Sequence, residues 1–185
     1  TLYATGIRPG DTFMIPSSPA WGHGLWHGTI APLSLGVTSG AYAGKFDPVR
    51  LMEGLQDLKI TNLSAAATHY RMMRRADVAD RFTFHFEKLT FTGEPMDSET
   101  ETWVRNTFGI APGSFYGTTE VGVILVSYPG AEDFVIREGS LGKPPPGIEL
   151  AVHDASGRPC APDQIGEIMV KKRGEWVPTK DLGSV

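Results

Sequence analysis

Along the first two thirds of the chain, short β-prone runs alternate with stretches whose apolar residues recur at helical spacing, the pattern of βα units on a largely parallel sheet. Strands are predicted at Thr12–Ile15, 36–41, Asn62–Ala66, Lys88–Thr92 and 114–116. Asp47-Pro48 predicts a helix start, with a capping carboxylate and a proline at the first helical position. Leu51, Met52, Leu55 and Leu58 supply that helix's apolar face. Ser98 and Glu101 have capping-box spacing, Trp103, Val104 and Phe108 form a stripe behind them, and Gly109 marks the stop. A third helix is expected to start at Thr68, with Met72 and Met73 as core filler. After about Tyr128 helical periodicity disappears, proline and glycine become dense, and runs at 148–153 and 165–171 predict small antiparallel β structure. The expected fold is therefore α/β. A layered, largely parallel sheet with flanking helices occupies residues 1–127, and a partial small β-barrel-like module occupies residues 128–185.

Composition agrees with a packed core: 41% of the 185 residues are hydrophobic and 21% are charged. The net charge of −4 and the scarcity of basic clusters beyond Arg71, Arg74, Arg75 and the run 171–173 argue against nucleic acid or a membrane surface as a partner. Cys160 is the single cysteine and sits in a Gly157-Arg158-Pro159-Cys160 turn, so a reducing compartment is expected. No stretch reaches bilayer-spanning length and the N-terminus lacks a signal-peptide pattern. The expectation is a soluble, cytoplasmic protein.

In an open α/β sheet ligands bind outside the carboxyl ends of the strands. Three unusual segments fall there: Ser17-Ser18-Pro19-Ala20-Trp21-Gly22, Thr92-Gly93-Glu94-Pro95 and Gly117-Thr118-Thr119-Glu120. The glycines leave room for a flat ring or another chain, while Thr118, Thr119 and Glu120 offer hydroxyls and a carboxylate to phosphate oxygens and a hard cation. Taken singly, Gly-Glu-Pro is an ordinary turn and Thr-Thr-Glu an ordinary helix start.

Five ordered motifs change that reading: Phe91-Thr92-Gly93-Glu94-Pro95, Ser114-Phe115-Tyr116-Gly117-Thr118-Thr119-Glu120, Gly139-Ser140-Leu141-Gly142-Lys143-Pro144-Pro145-Pro146-Gly147, Gly166-Glu167-Ile168 and Thr179-Lys180-Asp181. Together with Ile7-Arg8-Pro9-Gly10-Asp11 and Pro19-Ala20-Trp21-Gly22, they resemble the AMP-forming acyl-CoA synthetases of the adenylate-forming superfamily.

The resemblance implies that Gly93, Glu94 and Pro95 line adenine, that Tyr116 packs on the ring, and that Ser114 stands at the adenine-amino position. It further implies Thr119 on the α-phosphate, Glu120 on Mg²⁺ and Asp181 on both ribose hydroxyls, with Thr119 and Glu120 as the catalytic pair. The acyl group would lie against Trp21, Gly22 and His23 and beside Gly117, a position where a large aromatic ring closes the pocket in enzymes for the smallest acids. Glycine there implies larger acids. ATP, Mg²⁺, coenzyme A and a small carboxylic acid are the implied ligands. Ser114 replaces the usual Asn or Asp, and Lys180 the usual Gly. The phosphate-loop region and the C-terminal domain with its lysine are expected elsewhere in a longer parent chain, leaving this piece inactive alone. A domain that loads a carrier-protein thiol and a non-catalytic nucleotide-binding relative are the alternative readings.

Overall fold

Strands β1 (Thr12–Ile15), β2 (Thr38–Ala41), β3 (Asn62–Ala66), β4 (Lys88–Thr92), β5 (Gly113–Thr118) and β6 (Gly122–Val126) form a sheet in the order β2-β1-β3-β4-β5-β6. All neighbours are parallel except the β5–β6 hairpin. The computed structural model describes every residue, Thr1–Val185.

Side-chain alternation divides the sheet's two faces. Met14, Leu63, Ala65 and Leu89 point into one core with Leu51, Met52 and Leu55 of α2 (Pro48–Asp57), Tyr70 and Met73 of α3 (Ala67–Ala76), and Val104 of α4 (Ser98–Phe108). Phe13 and Ile15 pack on the other face with Ile7 and Val37. That face is covered by a π-helical run, His23–Ile30, which continues into the short helix α1 (Ala31–Ser34). The run lies close because glycine faces inward. A Cβ on Gly24 would meet the Ser18 carbonyl oxygen at 2.3 Å, and one on Gly28 would meet Ile15 Cβ at 3.0 Å.

Helix starts depart from expectation in detail. Asp47 caps α2 through the Arg50 amide at 2.9 Å, as the Asp-Pro pair predicts. At α4 the cap is Asp97 rather than Ser98; its carboxylate accepts from the Thr100 amide at 2.9 Å, and Glu101 turns instead to Arg105 at 2.7 Å. Helix α3 begins at Ala67, one residue before Thr68. Thr119 and Glu120 start no helix; they form the β5–β6 turn.

Beyond the irregular residues 127–149, β7 (Leu150–His153), β8 (Gly166–Lys172) and β9 (Glu175–Gly183) make an antiparallel sheet, order β7-β8-β9. Lys171 and Lys172 end β8 as a strand terminus, and Arg173 sits in the following turn. Ile168 and Val170 pack against Val121 and Ile124 of the β5–β6 hairpin, docking this sheet beside the first one. No helix is long and apolar enough to cross a membrane.

Most of the polar groups on the sheet's second face pair with one another, although the buried Asn62 Oδ1 and Thr90 Oγ1 have no partner. The Lys88 ammonium donates to both Asp11 oxygens at 2.8 Å and to the Gly6 carbonyl at 3.0 Å, while Asn62 donates to Asp11 at 3.1 Å and to the Thr5 carbonyl at 3.0 Å. Removing one partner strands a buried charge. Lys88→Met is expected to destabilise the fold by about 3–5 kcal/mol, and adding Asp11→Asn to recover part of that loss. Urea unfolding of the single and double variants measures both effects.

Candidate functional site

The carboxyl edge of the sheet carries two adjoining clefts. The first is lined by Thr92 at the end of β4 and Gly93, Glu94 and Pro95 after it, by Ser114, Tyr116, Gly117 and Thr118 of β5, by Leu141 of the loop after β6, by Ile168 of β8, and by Asp181 and Leu182 of β9. Thr92 closes its back by donating to the Phe115 carbonyl at 2.7 Å, which ties the ends of β4 and β5 together. Gly93 has a φ of +90°, a left-handed value that bends the chain away from the strand at little cost only without a side chain.

Besides Thr92, four polar side chains here are already engaged. Tyr116 donates its hydroxyl to Asp181, and burial, followed by that carboxylate, pushes the phenol's pKa up. Ser114 donates to the Ser140 carbonyl at 2.9 Å, which holds the loop through Leu141 over the cleft; its oxygen then accepts from the Ser127 hydroxyl at 3.2 Å and keeps one further lone pair as an acceptor. The Glu94 carboxylate points away from the cleft, toward the Thr68 hydroxyl and Arg71, so what Glu94 presents on the cleft side is backbone.

Lys180 has a φ of +69°, the conformation glycine would take at no cost, and its amide donates to Glu167 at 3.0 Å. The backbone that carries Asp181 to the cleft is thus formed with lysine as well.

Thr119 and Glu120 lie just outside the cleft lining, exposed in the hairpin turn. The Thr118 hydroxyl, before any other group, lowers the Glu120 pKa. Lys172 donates to the Glu120 carbonyl at 2.8 Å and fixes the turn against β8.

Gly117 lines the cleft but opens no pocket wall. A Cβ there would lie 2.0 Å from the Gly122 carbonyl oxygen and 2.7 Å from Val123 Cα, at the register shift of the hairpin. The glycine is required by the close approach of β6, so the inference from Gly117 to larger acids loses its geometric basis.

The second cleft sits where β1 and β3, adjacent in the sheet, send their chains to opposite sides, which is the topological switch point of such folds. Ser17, Ser18, Trp21 and His23 line it from β1, and Thr68 and His69 from β3. Tyr42, Phe46 and the shared wall Thr92-Gly93-Glu94 complete it. Gly22 caps the π-helical run and is not part of the lining.

His23 is held by Ser64 at 3.0 Å and by Ser17 at 3.4 Å, with its ring edge-on to Phe115 at 5.6 Å. Burial, then the neighbouring imidazoles of His27 and His69, depresses its pKa to about 3, so it is neutral at pH 7. His69 accepts the Ala66 amide at Nδ1, which puts its proton on Nε2. Sequence reasoning did not reach His69, Tyr42 or Phe46. Their only signal is position beyond a strand end.

A largely parallel α/β sheet with a ligand crevice at its switch point is common to many nucleotide-binding enzymes. The chain matches an acyl-CoA synthetase structure from Brucella canis with a TM-score of 0.89 and 25% identity, over 98% of this chain and 37% of that one. The family model described as "AMP-binding enzyme" matches residues 1–176, and the chain belongs to that family. Among curated relatives, an uncharacterised acyl-CoA ligase of Bacillus subtilis, YtcI, is 30% identical over 165 residues, covering 89% of this chain and 31% of the relative. The acetyl-coenzyme A synthetase of the same organism is 28% identical over 179 residues, covering 92% and 31%. The chain thus spans about a third of the length of these relatives.

The geometry has two measurable effects. A histidine whose folded pKa lies below its unfolded value takes up its proton more readily in the unfolded chain. Its stabilising effect is complete above about pH 6.5 and is lost as the pH falls toward about 3. Melting temperature should fall over that window in the native chain, and less steeply in His23→Gln, as scanning calorimetry across pH will show. Gly117→Ala is expected to cost about 2–3 kcal/mol in urea unfolding, because the Cβ displaces the β6 backbone.

Proposed function

We propose that this chain forms the adenine-, ribose- and acyl-facing part of an ATP-dependent acid–thiol ligase. A substrate carboxylate attacks the α-phosphorus of ATP, forming the acyl–phosphate bond as pyrophosphate leaves. The thiol of coenzyme A then attacks the acyl carbon and AMP departs. The observation that carries this reading is the convergence of Gly93, Pro95, Ser114, Tyr116 and Asp181, from three separate stretches of chain, on one cleft beside the switch point. Family membership and the names of its relatives support it.

In this reading the bare backbone of residues 93–95 and the Tyr116 ring take the two faces of adenine, and the Ser114 oxygen accepts from its amino group. Asp181 accepts both ribose hydroxyls, since a carboxylate has two acceptor oxygens. Thr119 and Glu120, exposed on the hairpin beyond the cleft, meet the phosphates. No group of three or more His, Cys, Asp or Glu residues could hold a resident metal ion. A lone carboxylate fits Mg²⁺ that arrives already coordinated by nucleotide phosphates, with Glu120 as its protein ligand. Such a cation neutralises phosphate charge, while the chain's own residues position the reactants. The second cleft, with Trp21, Gly22 at its edge and His23, takes the acyl part of a small carboxylic acid. Residues 1–127 and 128–185 act as two modules that share the nucleotide.

Calorimetric titration of the purified chain tests the ribose assignment. Adenosine is expected to bind, and 2′,3′-dideoxyadenosine to bind about tenfold more weakly, through lost hydrogen bonds to a charged group. Asp181→Asn should lose that discrimination while its melting temperature stays near wild type. Equal binding of the two nucleosides would refute the reading.

A further inference from the structure

The wall between the two clefts is the connection from β4 to α4, and it lacks ordinary means of staying in place. Residues 93–96 make no backbone–backbone hydrogen bond outside the strand ladder. Gly93 adopts a left-handed φ and Pro95 has no amide hydrogen. A connection of this kind moves readily unless side chains hold it.

One side chain reaches both ends of it. Arg71, on the first turns of α3, directs Nε to the Asp97 carboxylate at 3.1 Å and one terminal nitrogen to Glu94 at 3.8 Å. The same nitrogen donates to the Thr68 hydroxyl at 3.3 Å, and Thr68 in turn donates to Glu94. Asp97 is itself fixed, because its two oxygens accept from the Thr100 amide and hydroxyl at 2.9 Å each. A guanidinium suits this task, since its planar fork serves two carboxylates at once where an ammonium serves as a single point charge. Isolated surface ion pairs contribute little to stability, and the network's consequence is geometric: it draws the Glu94 side chain out of the first cleft and sets the path of residues 93–95.

We propose that Arg71 is a positioning residue for the nucleotide cleft, clamping the β4–α4 connection through Glu94 at one end and Asp97 at the other. Because Thr68 and Glu94 also line the second cleft, the clamp joins the floor of one ligand site to the wall of the other. The proposal rests on the adenine reading of the first cleft only for the ligand used to test it.

The experiment compares Arg71→Met and Arg71→Lys with a matched control, Arg74→Met. Arg74 lies on the same helix and pairs with Glu99 of α4, but touches neither end of the connection. In Arg71→Met, amide hydrogen exchange at residues 93–97 should quicken and adenosine affinity should fall, each on the order of tenfold. Both are measured at a temperature where every variant is folded. Arg71→Lys should restore part of each, and Arg74→Met should alter neither. A general loss of packing between α3 and α4 would move both methionine variants alike, and that outcome overturns the proposal. So would exchange and affinity in Arg71→Met that stay within about twofold of wild type. If the wild-type chain bound no adenosine, the nucleotide reading would fall, and the exchange measurement on the free protein would still decide the clamp.

Discussion

A strand that is parallel to both neighbours must return over a face of its sheet, so its connections bury it on both sides. Here β1 and β3 are adjacent but their chains leave in opposite directions, one through the π-helical run to β2 and the other through α3 to β4. Right-handed crossovers then put α2, α3 and α4 on one face and the run His23–Ile30 on the other. The same reversal leaves a gap at the carboxyl edge that no helix covers. The topology therefore has two consequences: polar groups caught between layers must find partners, and loops at the uncovered edge are free to meet a ligand.

The first consequence explains the chemistry of the face beneath the site. Asp11, Asn62 and Lys88 come from the starts of three neighbouring strands, and their mutual hydrogen bonds hold those starts together. Two residues above Asn62 on the same face, Ser64 receives His23, whose ring packs on Phe115 and borders the second cleft. Two separate sets of polar contacts therefore lie on this face, one at the strand starts and one at the ligand edge. His23 belongs to the second as a neutral hydrogen-bonding group, a role that requires burial and that no sequence pattern announces.

How much could be read from the sequence depends on how local each signal is. The bounds of β1, β3 and β4 were legible because β-prone runs bounded by turn residues are local features. The β6 strand was missed because Thr-Thr-Glu promotes helix in isolation; the hairpin exists because Gly117 lets β6 approach and because Ile124 and Val121 pack under Ile168 and Val170. The cap of α4 falls one residue earlier because the Asp97 carboxylate takes both the amide and the hydroxyl of Thr100, leaving Ser98 inside the helix. In the first cleft Gly93, Pro95, Ser114, Tyr116 and Asp181 were legible through motif order alone. Leu182 was not: it reaches the cleft because the antiparallel sheet packs Ile168 and Val170 on the β5–β6 hairpin. The direction of Glu94 was equally nonlocal.

That docking also bears on how a nucleotide would be held. Tyr116 belongs to β5 and Asp181 to β9, and their hydrogen bond crosses between the two sheets at the cleft itself. In the proposed reading Asp181 accepts ribose hydroxyls, yet one of its oxygens already accepts from Tyr116. A ribose bound there has two routes: it replaces the phenol at that oxygen, or it shares the carboxylate's remaining lone pairs. Replacement frees the Tyr116 ring to settle on adenine but loosens the bridge between modules; sharing keeps the bridge and fixes the ring's tilt. The Thr179 hydroxyl favours sharing, since it accepts the Asp181 amide at 3.2 Å while donating to the buried Ile168 carbonyl at 2.9 Å, anchoring the backbone under the carboxylate. An anchored carboxylate with a tyrosine on one oxygen presents the other oxygen in a fixed direction, and preorganisation of that kind lowers the entropy lost when a ligand is bound.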